Sequence, residues 1–300
     1  MSAPYIDVAA PVALGGRGGR GERGGRLAGS LWRRRTAVVG MVIVAILVVV
    51  ALAAPLITPY TYHSIFYDAI LANPSPQHIL GTDGLGRDVY TRVVYSYQVS
   101  LLVAGGSVGL SLLVGVPLGL LAGYWGGLVD NLLMRLVDIL LAFPAILLAI
   151  SLIAILGQGL TVMMIAIAVV YVPILARVLR GSVLSVKTTA YVEGARARGA
   201  GHPRLMVRHV LPNSIGPTLV QATLLLAFAI QIEAGLSFLG LGVQPPTPSL
   251  GYMLQENHQY ISQSPWGTLF PCLGIAVAVL GFNLLGTGLR DLLDPRGRTR

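Results

Sequence analysis

Residues 191–213 read YVEGARARGAGHPRLMVRHVLPN, a polar, basic stretch set between two long apolar runs. Seven cationic side chains (Arg177, Arg180, Lys187, Arg196, Arg198, Arg204 and Arg208) fall in it or just before it, against a single acid, Glu193. Charges at this density do not enter hydrocarbon, whereas the runs on either side are suited to crossing it. The stretch is therefore a loop on one face of a membrane, and the chain is an all-α integral membrane protein. Its glycines and proline follow an order. Glu193-Gly194-Ala195 is followed by Gly199 and, twelve residues further on, by Leu211-Pro212-Asn213.

The whole chain agrees with this reading. It is 54% hydrophobic and 11% charged, with a mean hydropathy of +0.74, where a soluble domain carries about 25% charged residues. A net charge of +9 would suit a nucleic-acid binder, but the cations border apolar runs and form no aromatic-laced patch, so no nucleic-acid partner is expected. Cys272 is the single cysteine, which excludes an internal disulfide, and no Cys/His spacing suits a metal.

A helix needs about 20 apolar residues to cross the bilayer core. Six stretches qualify: 36–57, 96–129, 139–157 with the polar lead-in 131–138, 160–176, 217–241 and 266–289. Six spans leave both ends on one face. With residues 1–35 in the cytoplasm, 19 of the 21 Lys and Arg lie inside and only Arg87 and Arg92 outside, as the positive-inside rule requires. Both termini are thus expected to be cytoplasmic. Residues 1–30, rich in Gly and Arg, cannot bury a core and are expected to be disordered. Ala51-Leu52-Ala53 mimics a signal cleavage site. The apolar run before it exceeds the roughly 7–15 residues of a signal core, so it reads as an uncleaved span. The organisation is a tail (1–30), a first span with an outer loop (31–95), and a five-helix core (96–297) containing the basic loop 177–213.

In the outer loop, Leu80-Gly81-Thr82-Asp83-Gly84-Leu85-Gly86-Arg87-Asp88 puts two carboxylates five residues apart. Alone they would suggest a metal site or an acid–base pair. Nothing nearby supports either, and Arg87 and Arg92 can neutralise them, so an ordered structural turn is the better reading. The second span carries Gly105 and Gly109, then Gly115, Gly119 and Gly123, at the spacing that lets membrane helices pack backbone to backbone. Glu233 is the acid that falls inside an apolar span. Such a carboxylate is costly in lipid and normally faces a wet cavity or a partner. It is either a gate residue on a transport path, with Ser237 as a companion candidate, or a helix-end acid held by backbone amides at a break near Gly235. Residues 248–265 read as a short amphipathic outer helix carrying Tyr252, Glu256, His258 and Tyr260, a dock for a substrate-delivery protein.

No catalytic site emerges. Residues 181–188, GSVLSVKT, miss a Walker A loop: Val186 replaces the glycine that must approach the phosphates, and a membrane helix rather than a strand precedes it. His202 and His209 have no third ligand and no carboxylate partner. No nucleophile stands with a base and an orienting third group. The chain is expected to bind no cofactor itself and to be no enzyme.

Three stretches resemble one family. Glu193-Gly194-Ala195, Gly199 and Leu211-Pro212 fall on the E-A-A-x-x-x-G and L-P spacing of the cytoplasmic coupling loop of ABC-importer membrane subunits. Gly194 replaces the usual Ala, at a cost of at most about 1 kcal/mol of helix propensity. Residues 80–88 resemble the L-G-T-D-x-x-G-R-D signature of dipeptide, oligopeptide and nickel importer permeases. Residues 233–249, EAGLSFLGLGVQPPTPS, resemble the E-A-x-L-S-F-L-G-L-G-x-Q-P-P-x-P-S signature of the same group. The resemblance covers residues 27–297.

It implies a type I ABC-importer permease fold with six transmembrane helices and a cytoplasmic coupling helix near residues 189–201, in a bacterial cell membrane. The implied partners are a second, similar permease, two ATPase subunits that carry ATP and Mg, an extracytoplasmic substrate-binding protein and membrane lipid. Glu193, Gly194, Ala195, Arg198, Gly199, His209, Leu211 and Pro212 would serve ATPase coupling. Gly81, Thr82, Asp83, Gly86, Arg87 and Asp88 would form the outer turn. Gly199 is expected where the coupling helix ends or packs closely, since glycine accepts a positive φ. Glu193, near the start of that helix, interacts favourably with its positive end. The expected cargo is a di- or oligopeptide. Nickel is the alternative, although the spans carry almost no His, Cys or acid to coordinate it. A proton-coupled secondary transporter would need internal repeats and several intramembrane ionisable groups, and the sequence offers Glu233 alone.

Overall fold

The computed structural model describes residues 35–293; the expected tail 1–30 lies outside them. The longer helices are, in chain order, α1 (Arg35–Leu52), α2 (Val89–Trp125), α3 (Gly127–Leu141), α4 (Ala145–Leu156), α5 (Leu160–Val186), α6 (Ala190–Ala197), α7 (Gly216–Phe238), α8 (Leu250–Asn257) and α9 (Trp266–Leu293). No strand is present among the described residues, whose single isolated bridge joins Thr82 and Asp88. Helices that are apolar around their whole circumference pack on one another with part of the surface and offer the rest to lipid. Thus Val42, Ile46, Val49, Leu113, Leu147 and Ile155 all stand exposed.

The sequence predicts six spans, and the structure differs in detail. Four helices, α2, α5, α7 and α9, are long and apolar enough to cross a bilayer alone. A fifth span requires α3 and α4 to count together, and they are bent by 90°. Pro144 is the cause: it lacks an N–H to continue α3 and sits extended (φ −57°, ψ 131°) as the cap of α4. The apolar stretch of α1, Thr36–Leu52, rises only about 26 Å, short of the roughly 30 Å of hydrocarbon. α1 stops there because Pro55 cannot donate to the Ala51 carbonyl four residues back. That carbonyl instead accepts from Gln98 Nε2 of α2 at 2.7 Å.

A second correction concerns the basic loop. The sequence ends the fourth span at residue 176, before the first arginine, but α5 continues to Val186. Arg177 and Arg180 therefore stand on a helix, and the loop begins at Lys187. Both are paired with acids of α3. Arg180 forks onto Asp130 through Nε at 2.5 Å and Nη2 at 2.6 Å, and Arg177 Nη2 reaches Asp138 at 2.6 Å.

The contact that organises the bundle runs along α2 and α5. A Cβ on Gly115 would stand 3.0 Å from the Val172 carbonyl oxygen, and one on Gly123 would stand 2.8 Å from Val183 Cβ. On Gly119 it would run into the Ala176 carbonyl. Backbone touches backbone along this line, as the spacing predicts. Gly105 and Gly109 behave otherwise, since a Cβ on either meets nothing within 4 Å. On the far side α1 and α9 interlock through Gly40, Gly281 and Gly288, the last seated on Ala37.

Replacing Gly119 with Leu is expected to prevent α2 and α5 from closing. Because overpacking of this kind costs about 1–3 kcal/mol or more, the variant should reach less than about half of the wild-type level of folded protein in membranes. Fluorescence size-exclusion of the detergent extract measures it. Gly105→Leu, in open space, should leave that level unchanged.

Candidate functional site

The segment between α5 and α7 is built to present a short helix. Lys187 and Thr188 end α5, and Thr189 turns extended (φ −78°, ψ 145°) to start α6. Eight residues do not hold a helix in water by themselves. α6 is anchored by burying Val192 and Ala195 against Leu120 and Tyr124 of α2, Leu179 and Val183 of α5, and Leu205 and Val210 beyond it. Glu193, Arg196, Arg198 and Gly199 face outward. Glu193 sits in the first turn and Arg196 in the last, each at the dipole end that favours its charge.

Gly199 ends the helix in the way the sequence suggests. Its φ is +82°, its N–H reaches the Arg196 carbonyl at 2.9 Å, and the Ala200 N–H reaches the Ala195 carbonyl at 3.2 Å. This pair of bonds is the Schellman motif, which requires the left-handed conformation that glycine adopts most easily. A Cβ on Gly199 would meet nothing within 4 Å, and one on Gly194 only Arg198 Nη1 at 3.8 Å. Alanine would fit at Gly194.

The chain then returns to α7 through His202–Arg204, a π-helical stretch Leu205–Val210, and a turn Leu211–Ser214 with Pro212 at its start. His209 contributes its carbonyl, which accepts from Asn213 Nδ2 at 2.7 Å and Tyr191 Oη at 3.4 Å. His202, unpromising as a metal ligand, forms a 2.8 Å hydrogen bond through Nδ1 with Tyr124 Oη at the end of α2. Lys187 Nζ donates to the Gly123 and Tyr124 carbonyls at 2.7 and 3.4 Å.

At the other end of α2 the signature residues form a connected network. Asp83 Oδ1 accepts from the Leu85 and Arg87 N–H groups at 3.0 and 2.9 Å, and its Oδ2 accepts from Arg87 Nε at 2.7 Å. Asp88 caps α2 by accepting from the Thr91 N–H at 2.8 Å, and its other oxygen pairs with His78 Nδ1 at 3.0 Å. Thr82 donates to the Ala69 carbonyl and accepts from the Ala72 N–H. Gly81 and Gly86 both take positive φ in the turn. The two carboxylates are thus engaged by arginine, histidine and backbone donors within one ordered turn. Glu256 of α8 completes the network, taking Arg87 Nη2 at 2.6 Å and Arg92 Nη2 at 3.1 Å on a single oxygen. Beside it lies a polar cavity of about 360 Å³ lined by Arg87, Tyr252, Glu256, His258 and Tyr260. Burial, then the Glu256 charge, pushes the Tyr252 phenol above its ordinary value.

Glu233 is fully buried. It accepts from Ser237 Oγ at 2.9 Å and from Ser100 Oγ of α2 at 3.0 Å. No helix break lies at Gly235: α7 runs to Phe238 and ends at Leu239. The expectation of backbone amides from a break there is therefore corrected, since hydroxyls of two helices hold the carboxylate. Among the site partners that the sequence reading missed are Ser100, Asp130 and Tyr124. Each lies in a run that reads as plain membrane helix or its border, and only the fold brings its partner near.

The family described as binding-protein-dependent transport system inner membrane component matches residues 115–299, and the N-terminal TM domain of oligopeptide transport permease C matches residues 28–74. A dipeptide transport system permease protein of Alkalihalophilus pseudofirmus is 45% identical over 266 residues, covering 89% of this chain and 88% of that protein. A glutathione transport system permease protein of Pectobacterium atrosepticum is 42% identical over 270 residues, covering 88% and 90%. Among solved structures, an inward-facing MetNI methionine ABC transporter superposes with a TM-score of 0.55 at 19% identity, over 68% of this chain and 97% of that one. At that identity the last match speaks for the fold alone. The chain belongs to the family of binding-protein-dependent transport system inner membrane components, as a membrane-spanning permease subunit of an ABC importer rather than an enzyme.

Proposed function

We propose that this permease carries short peptides, and that the segment from α6 to Pro212 is the seat of a separate ATPase. The observation that carries the second part is the construction of α6. It is a helix too short to stand alone, anchored on its apolar side and capped by Gly199, with Glu193, Arg196 and Arg198 turned outward. Such a knob presents a fixed polar face to a groove without exposing a large apolar patch. The peptide cargo is supported by relatives named for dipeptide, di/tripeptide and glutathione transport. In this reading a second permease completes the pathway, two ATPases hold ATP and Mg on the cytoplasmic face, and a binding protein delivers cargo to the end that bears α8. ATP-driven closure of the ATPases moves α6, and the helices attached to it open the path outward. Glu233, tied to Ser100 and Ser237, links α2 to α7 inside the membrane, a contact that must loosen when those helices part.

Three measurements test this. Gly199→Trp should insert normally and pair with its partner permease, yet lose substrate-stimulated ATP hydrolysis by about tenfold or more; Gly199→Asn, which also accepts positive φ, should retain it. Glu193→Lys should weaken the complex less. A Gly199→Trp protein that transports at the wild-type rate would remove α6 as the ATPase seat. For orientation, in a Cys272→Ser background, a cysteine at Gln77 should react with an impermeant thiol reagent added to intact cells and one at Ser185 should not. Reversed labelling overturns the topology. Finally, Glu233→Gln and Ser100→Ala should each change transport at least about threefold, the scale of one hydrogen bond, with insertion unaltered. Unchanged transport in both would leave Glu233 a purely structural role.

A further inference from the structure

α6 is joined through the chain to α5 before it and to α7 after it. α2 has no such connection, yet it is the longest helix described, 37 residues or about 55 Å. It also reaches two polar features away from the coupling segment. About a third of the way along it offers Ser100 to Glu233, and at its start it offers Arg92 to Glu256 and the capping Asp88. Movement of α6 reaches α2 through the α5 backbone packed along it and, without an intermediary, where α2 touches the coupling segment. That place is the α2 terminus. Leu120 and Tyr124 supply apolar packing there, but such packing is non-directional and lets surfaces slide. Two contacts are directional. Lys187 Nζ caps the Gly123 and Tyr124 carbonyls at 2.7 and 3.4 Å, and Tyr124 Oη meets His202 Nδ1 at 2.8 Å. The His202 ring also lies 4.9 Å from that of Trp125. Immediately beyond, Gly126 (φ +68°) ends α2 and turns the chain into α3.

We propose that the Tyr124–His202 contact, braced by Lys187, is the joint through which displacement of the coupling segment enters α2 and travels to the network at Glu256. Tyr124 and His202 are positioning residues: they touch neither nucleotide nor cargo and set how far α2 follows α6. The proposal rests on the reading of α6 as the ATPase seat.

The test uses the full complex reconstituted in proteoliposomes, with peptide uptake and ATP hydrolysis measured together. Tyr124→Phe and His202→Ala should each keep both ATPases bound and hydrolysing, while peptide moved per ATP falls roughly fivefold, the scale of a lost coupling contact. His202→Asn, which returns a polar atom near the Nδ1 position, should recover most of that ratio; a merely structural loss would lower uptake and hydrolysis together and leave the ratio unchanged. A second readout is the thiol-labelling rate of a cysteine at Gln259, beside the polar cavity, in a Cys272→Ser background. Trapping the complex with ATP should change this rate, and His202→Ala should abolish the change. A wild-type ratio in both Tyr124→Phe and His202→Ala overturns the joint, and so does loss of the ATPases from either variant, which would make the contact part of the dock. Failure of the dock itself is distinguishable, because Gly199→Trp would then leave the ATPases attached.

Discussion

How closely α2 and α5 approach decides what the two ends of the molecule can be. In lipid no hydrophobic gain attends the meeting of two apolar helices, so close van der Waals packing has to hold them. Gly115, Gly119 and Gly123 provide it by letting the α5 backbone lie directly against α2. Leu120 and Tyr124 then reach Leu179 and Val183, and these four make the apolar bed on which Val192 and Ala195 of α6 sit. The same approach brings the Lys187 ammonium to the last carbonyls of α2, where a cation suits the negative helix end. A bulkier line of side chains would separate the pair and take the seat of α6 with it.

Much of this was legible before the fold was known, and the boundary of legibility has a physical basis. Features set by neighbours in sequence could be read. The apolar runs, the left-handed Gly199 and the ordered turn around Asp83 and Asp88 are of this kind. Features set by distant partners could not. Glu256 lies 169 residues from Arg87, Ser100 lies 133 from Glu233, and Tyr124 lies 78 from His202. Nothing local marks Ser100 or Tyr124, and nothing local says which residue Arg87, Glu233 or His202 will meet. The end of α5 was misread for a related reason. Arg177 and Arg180 look like a membrane border because a lone arginine would be one, whereas pairing with Asp138 and Asp130 lets the helix carry them onward. The count of six spans is not exact, because proline, a strictly local feature, breaks two of the long apolar runs.

The charges near the membrane share one arrangement. Arg180 and Arg177 meet acids of α3, and Arg87 and Arg92 meet Asp83 and Glu256. Each pair joins elements that no short loop constrains, or secures a turn that would otherwise be loose. At the outer end, where Arg87, Arg92 and Asp83 are buried, removing one member of a pair leaves the other charge uncompensated and is strongly unfavourable, so those contacts specify which elements are neighbours. The Arg177–Asp138 pair is exposed on both sides and contributes little. Covalent chemistry has no part in this. What the permease contributes is a set of rigid elements and the contacts that transmit displacement among them.

The carbonyl that Pro55 leaves open at Ala51 has a consequence for how α1 tolerates change. Gln98 fixes the rotational phase of α1 at that end, and Ala37 and Gly40, meshed with Gly288 and its neighbours on α9, fix it at the other. Between them most side chains are exposed and one aliphatic residue serves as well as another there, whereas Ile43, seated on Gly281, and the buried Leu47 are held by their neighbours. Inserting or deleting a single residue in that interval would turn one anchor about 100° away from its mate. The stretch is therefore permissive in composition at its exposed positions and strict in length, so substitutions should accumulate at those positions while indels do not.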